Sequence, residues 1–211
     1  MIEIADLGVA YGSVEALSSF SLQVAEGETV VLTGLSGCGK STVLRALCGL
    51  LPEEATSGGT CVLDGLDTLA RPQDLPRHVA YVPQNPAHAL FCTTVREEVM
   101  AGPLHLGLDD PSGRASAAMS SLGCLALAAR SVRELSSGQQ QRVAIAAALA
   151  SGPKVLVMDE PTSYLDRSGM AALRESLEAL RKRGTTVLIA EHRLDRLPEV
   201  DRVVSMERDP L

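Results

Sequence analysis

Tryptophan is missing from this 211-residue chain, which holds only two phenylalanines and three tyrosines. A surface that stacks nucleic-acid bases needs exposed aromatic faces, so we expect no nucleic-acid partner of that kind. Positive charge is also short: 19 Lys and Arg stand against 26 Asp and Glu, a formal net charge of −7. That balance argues against a protein whose main partner is a phosphate backbone. Long apolar runs are lacking too. The longest weakly polar stretch, residues 143–152, is alanine-rich and too short to cross a bilayer. If the chain works at a membrane, another protein is expected to do the spanning. The start, MIEIADLGVAYG, carries acidic residues and no cationic segment ahead of an apolar one, so no secretion signal is expected. The five cysteines, Cys38, Cys48, Cys61, Cys92 and Cys124, include no C-x-x-C pair. Their odd number fits reduced thiols better than a disulfide framework.

What is present is a chain of 45% hydrophobic and 21% charged residues, ordinary for a globular protein. Its length suits one core with an inserted lobe. The run GLSGCGKST at residues 34–42 dominates the reading. Gly34, Gly39, Lys40 and Ser41 satisfy G-x-x-x-x-G-K-[ST], with Ser36, Gly37 and Cys38 between them and Thr42 after. Apolar Val30, Val31 and Leu32 precede the run, and Val43, Leu44, Ala46 and Leu47 follow at helical spacing. Strand, glycine loop and helix in that order turn consecutive backbone N–H groups toward one anion. The helix N-terminus adds partial positive charge, Lys40 can reach outer phosphates, and the Ser41 hydroxyl can ligand Mg²⁺. The expected ligand is a nucleoside triphosphate. Cys38 sits inside this loop, where a helix N-terminus favours a thiolate, so alkylation there is expected to inhibit and ATP to protect.

Alternation at Ile2 and Ile4, then at Phe20, Leu22 and Val24, predicts antiparallel strands near the start. Residues 29–33, 155–158 and 186–190 are short, apolar and β-rich, as central parallel strands are. Further strands are expected at 60–63, after Gly58 and Gly59, at 78–82, and at an edge around Val203 and Val204. Helical patches are expected at 95–101 and 114–122. Another at 168–183 places Met170, Leu173, Leu177 and Leu180 on one face, with Gly184 as its C-terminal cap. The fold class is therefore α/β: a mainly parallel sheet, an N-terminal antiparallel β subdomain and an inserted helical lobe. We read one domain over 1–211, with its core in 1–84 and 152–211 and its lobe at about 85–151.

Several further motifs follow in a fixed order. LSSGQQQR covers 135–142, VLVMDEPT 155–162 and SYLD 163–166; Gln84 closes a strand and AEH fills 190–192. With Tyr11 ahead of the phosphate loop, this set resembles the nucleotide-binding subunit of ATP-binding cassette proteins over essentially the whole chain. The resemblance implies a P-loop NTPase core that binds and hydrolyses ATP with Mg²⁺. It implies that Ser41, Gln84 and Asp159 serve the metal, and that Glu160 is the general base for the attacking water. His192 orients the γ-phosphate, Gln84 links the core to the lobe, and Tyr11 is a platform for adenine. Leu135, Ser136, Ser137, Gly138 and Gln139, with Asp166, are expected to close over the nucleotide of a second subunit. Asp159 ends an apolar strand, Glu160 follows it, and Ser136 to Gly138 offer donors at a helix start.

The stretch QNPAHALFCTTVREEVMAGPLHLG after residue 83 resembles energy-coupling-factor importers for vitamins or transition-metal ions, the alternatives being another importer branch with the same engine or a soluble, non-transport cassette ATPase. That likeness implies an integral membrane transport subunit as partner and a peripheral place at the cytoplasmic face of the cell membrane. Leu90, Phe91 and Val95 are expected as exposed apolar residues that could receive a partner helix. Two departures stand out. Ser137 replaces the family's usual glycine, which would cost about 1 kcal/mol if that position needs positive φ or a close approach to phosphate, so the composite site is expected to work with reduced efficiency. Relatives usually continue into a C-terminal helical region, whereas this chain stops at Leu211, so an isolated dimer is expected to be weak.

Overall fold

The structure is a computed structural model that describes residues 1–206. The chain opens with a hairpin of β1 (Ile2–Tyr11) and β2 (Val14–Val24). Then β3 (Thr29–Thr33) leads through the glycine loop into α1 (Lys40–Leu47). β4 (Ala55–Leu63) and the two-residue β5 (Leu66–Asp67) follow, then β6 (Val79–Val82). Three helices come next: α2 (Val95–His105), α3 (Pro111–Ser121) and α4 (Ser137–Ala150). The chain returns through β7 (Val155–Asp159), α5 (Arg167–Lys182), β8 (Thr186–Ala190) and β9 (Arg202–Ser205).

The strands form two sheets. One is antiparallel, in the order β2-β1-β4-β5; the other is parallel, in the order β6-β7-β8-β3-β9. β7 and β8 are buried along their whole length, because both faces of their sheet are covered. On one face lie α1 and the antiparallel sheet, packed through Leu7, Leu32, Leu44, Leu63 and Val157. On the other lie α2 to α5, packed through Met119, Ile145, Leu156, Met158 and Leu177. The two layers of apolar side chains thus grip the parallel sheet from opposite sides, and the loops at its C-terminal edge are left to carry chemistry.

Local chemistry sets the element ends. Thr94 caps α2 in a capping box with Glu97, and Asp110 caps α3, which begins at Pro111. Gly184, at φ 73, ends α5 with its N–H on the Arg181 carbonyl, as expected. β4 is longer than its pattern suggests and runs through Gly58 and Gly59. Gly59 has φ 79, and a Cβ there would run into the carbonyl of Asp6, itself at φ 50. The glycine thus fits a bulge opposite Asp6, where the β1–β4 register shifts, rather than a turn before the strand. The lobe is not sealed off from the core, since α4 packs on α2, α3 and β6 alike. The end of the chain at Leu211 lies outside the described residues.

Candidate functional site

The phosphate loop leaves the C-terminal end of β3 and enters α1 at Lys40. Gly39 sits at φ 94, where a Cβ would come 2.9 Å from the Ala16 carbonyl of β2 and 3.0 Å from Leu17. Only glycine meets both demands, so the hairpin and the loop are pressed together at that point. Gly39 is also the N-cap of α1 and offers no side chain, which leaves the first N–H groups of the helix available to an anion. Lys40 is 7% exposed, and its Nζ donates to the carbonyls of Gly34 (2.8 Å) and Leu35 (2.9 Å). The ammonium is therefore held within the curve of the loop, 3.6 Å from the Cys38 Sγ. Cys38 is 5% exposed, and its side chain tucks under the loop toward Gly34. Ser36 is exposed, Gly37 has positive φ, and Thr42 is buried in the first turn.

Asp159 ends β7 with 3% of its surface exposed. Burial raises its pKa, and the adjacent Glu160 charge adds to that, against hydrogen bonds from Ser41 and Tyr81. The Tyr81 hydroxyl reaches the Asp159 Oδ2 across 3.4 Å. Ser41 and Asp159 thus form a pair of hard oxygen donors beside the loop, with one desolvated carboxylate in need of a cation. That donor set fits Mg²⁺, which favours a carboxylate or two, waters and phosphate oxygens over an all-protein cage. Among the described residues no cluster of three His, Cys, Asp or Glu side chains offers such a cage.

Glu160 has left-handed backbone at φ 44, a conformation that costs a non-glycine residue and gathers at functional positions. Its N–H donates to the Ala190 carbonyl at 2.8 Å. Its Oε2 accepts from the Gln84 Nε2 (3.0 Å) and the Ser163 Oγ (3.1 Å), and its Oε1 lies 3.6 Å from the His192 Nδ1. The loops after β6, β7 and β8 therefore converge on one carboxylate. Gln84 is tied to Glu160 and not to the Ser41–Asp159 pair. Tyr11, at the end of β1, is half-buried against the antiparallel sheet, and its hydroxyl is buried without a partner among the described residues.

The LSSG segment is the start of α4. Ser136 is the N-cap, accepting from the Gln139 N–H at 3.4 Å while its own N–H donates to the Gln139 Oε1 at 3.0 Å. Leu135 is buried. Ser137 is the first helical residue and is not among the positive-φ residues, so the backbone strain that a positive φ would bring is absent. Gly138 carries the constraint instead, since a Cβ there would come 2.8 Å from the Tyr164 carbonyl. Asp166 caps α5 through the Gly169 N–H, and Val95, expected on the surface, is fully buried in the lobe. Its place at the first turn of α2 points it at the apolar interior shared with Val99 and Met119. Phe91 is 80% exposed and Leu90 is partly buried.

Sequence reasoning assigned no role to three residues that the structure ties into these motifs. Tyr81 meets Asp159, Arg142 meets Asp166, and Glu191 is buried against Thr162 and His192. Glu191 had one signal, an acid directly after a fully apolar strand.

Residues 17–163 match the ABC transporter family, and the chain belongs to that family. A putative ABC transporter ATP-binding protein of Methanosarcina mazei is 38% identical over 98% of this chain and 37% of its own length. The chain spans about a third of the length of the first curated relatives it matches. An energy-coupling factor transporter ATP-binding protein, EcfA1 of Clostridium perfringens, is 34% identical over 99% of this chain and 77% of its own. A dimeric structure of the ATP-binding cassette MJ0796, in a post-hydrolysis state bound to ADP and Pi, superposes with a TM-score of 0.84. It is 27% identical and covers 99% of this chain and 95% of that one.

Proposed function

We propose that this chain binds and hydrolyses ATP to power a membrane importer, of the energy-coupling-factor type. The observation that carries the enzymatic part is the convergence of Gln84, Ser163 and His192 on the Glu160 carboxylate, beside the loop that holds Lys40. Glu160 accepts the proton of the attacking water, while Gln84 and His192 hold that carboxylate and the terminal phosphate in line. The loop N–H groups and Lys40 bind the phosphates, and Tyr11 contacts adenine. Ser41 and Asp159, with Gln84 in the outer shell, would hold Mg²⁺, which supplies charge neutralisation on the phosphates. Residues 135–139 and Asp166 serve the nucleotide of a second ABC ATPase subunit, so each site is completed by a partner.

The importer assignment rests on the likeness to the EcfA1 protein and on the segment after Gln84. There Glu98, buried in α2, accepts from the N–H groups of Phe91 and Cys92 at 2.8 and 2.7 Å and presents Phe91 outward. An exposed aromatic on a braced loop suits a helix of an integral membrane subunit, which would place the chain at the cytoplasmic face of the membrane. No helix among the described residues is long and apolar enough to cross a membrane.

The test is sedimentation of the Glu160→Gln protein with and without Mg-ATP, alongside its turnover. We expect hydrolysis to fall by at least about 100-fold, nucleotide binding to persist, and a dimer to form only with ATP. Unchanged turnover would remove Glu160 from the general-base role. A protein that binds ATP yet stays monomeric would point to a different cassette as its obligatory partner.

A further inference from the structure

Glu191 is the first residue after β8 and has no exposed surface. A carboxylate removed from water is costly unless donors surround it, and this one is surrounded. Its Oε2 accepts from the Thr162 hydroxyl at 2.5 Å. Its Oε1 accepts from the backbone N–H groups of His192 (2.9 Å) and Arg193 (3.1 Å), and lies 3.3 Å from the His192 Nδ1. The reading of His192 as a group that meets the terminal phosphate uses none of these contacts.

We propose that Glu191 is the positioning residue that sets the face and the tautomer of His192. The inference rests on the role given to His192 above. A carboxylate oxygen only accepts, so the ring nitrogen turned to it carries the proton. The Glu160 Oε1, a second acceptor, lies 3.6 Å from the same nitrogen and favours the same assignment. With Nδ1–H directed inward, Nε2 is the only ring atom left to meet a phosphate oxygen or the attacking water. The two backbone bonds hold the turn that carries the ring, so face and tautomer are fixed by one side chain. Thr162 extends the arrangement. It lies between Glu160 and the 163–166 loop, and its hydroxyl ties that loop to the strand that delivers His192. A purely structural cap would need the backbone and Thr162 bonds but not the ring contact.

The decisive experiment is ¹⁵N NMR of the full chain, labelled at histidine, with His192→Gln to assign its signals. We expect the neutral ring of His192 to be protonated at Nδ1. Glu191→Gln keeps a carbonyl for the two N–H groups but replaces the charged acceptor facing Nδ1 with a weaker neutral one, so the Nε2–H form should gain population at the expense of Nδ1–H. Turnover should fall on the order of tenfold in kcat, with KM for ATP within about twofold. In a His192→Ala background the same change should cost nothing further. An Nε2–H tautomer in the unsubstituted protein, or an equal loss of kcat in the His192→Ala background, overturns the proposal. If Glu191→Gln fails to fold, the NMR of the unsubstituted chain decides alone. Should His192→Ala leave kcat unchanged, the role of His192 itself falls, which is a separate failure from the wrong tautomer.

Discussion

Arg142 holds both carboxylate oxygens of Asp166 through one guanidinium nitrogen, at 3.1 and 3.2 Å. The pair joins α4, whose start carries the LSSG segment, to the cap of α5, which ends the SYLD loop. Asp166 is held below the usual carboxylate range, first by the Gly169 N–H and the Ser168 hydroxyl and then by the Arg142 charge. The two segments proposed to meet a second subunit are thereby set relative to each other before any partner arrives. Asp166 is well exposed, so the pair contributes little to folding. Its effect should appear in assembly instead. In the Glu160→Gln background, Arg142→Gln should weaken ATP-dependent dimerisation by about tenfold, or 1.4 kcal/mol, with nucleotide affinity retained. Sedimentation over a concentration series measures it, and an unaltered dimer constant would show that the pair does not shape the interface.

Ser137 and Gly138 exchange the importance their positions suggest. Ser137 takes ordinary helical backbone, whereas Gly138 lies against the Tyr164 carbonyl with no room for a methyl group. Ser137→Gly should therefore leave turnover within about twofold, because there is no strain to relieve. Gly138→Ala should push α4 off the 163–166 loop, at a cost of about 1–3 kcal/mol, and lower turnover of the assembled dimer. Urea unfolding and steady-state ATPase rates, taken together, separate the two effects. A gain in turnover for Ser137→Gly would reinstate the strain argument.

The thiols make a third case. Cys38, inside the phosphate loop, is nearly closed off, while Cys92 alone among the five is not buried. Burial and the nearby Glu98 and Glu97 charges raise the Cys92 thiol above its ordinary range. Alkylation at pH 7 should thus be slow, label Cys92 before Cys38, and keep accelerating as pH rises beyond the usual thiol range. Peptide mapping after iodoacetamide treatment reads the order directly. ATP should protect Cys38 and leave Cys92 as it was; rapid labelling of Cys38 would mean that the loop opens readily.

The phosphate loop and the central strands were legible because their chemistry is local. A glycine spacing, an apolar run and a capping residue each act within a few positions. Ser41 could be placed at the start of a helix, and Gln84, Asp159, Glu160 and His192 at or just past strand ends, for the same reason. What escaped was decided by distant chain. Gly59 answers to Asp6 across a sheet, Gly138 to a carbonyl 26 positions on, and Val95 to a lobe interior that its own sequence cannot display. Glu191 looked like any acid after a strand until Thr162, 29 residues earlier, supplied its partner.

Asp159 shows how the site trades stability for chemistry. Its pKa is raised by burial, so the folded chain binds a proton more readily than the unfolded one between the ordinary value of 3.8 and the raised folded value. Linkage then gives a stability that is greatest below 3.8 and falls as pH climbs through that window. At neutral pH the nucleotide-free fold carries a desolvated, under-compensated charge. Asp159→Asn removes the charge and keeps an acceptor for the Ser41 and Tyr81 hydroxyls. We expect it to raise Tm by about 2–4 °C, the shift that 1 kcal/mol produces in a domain of this size. The gain should shrink as pH falls through that window and vanish below it, where the native carboxyl is neutral as well. The same variant should lose the extra stability that Mg²⁺ adds in the presence of ATP, since the cation would lack its carboxylate. Thermal melts at pH 7 and pH 3.5, with and without Mg-ATP, test each arm. A lower Tm at pH 7 would mean that the Ser41 and Tyr81 hydrogen bonds outweigh the burial of the charge.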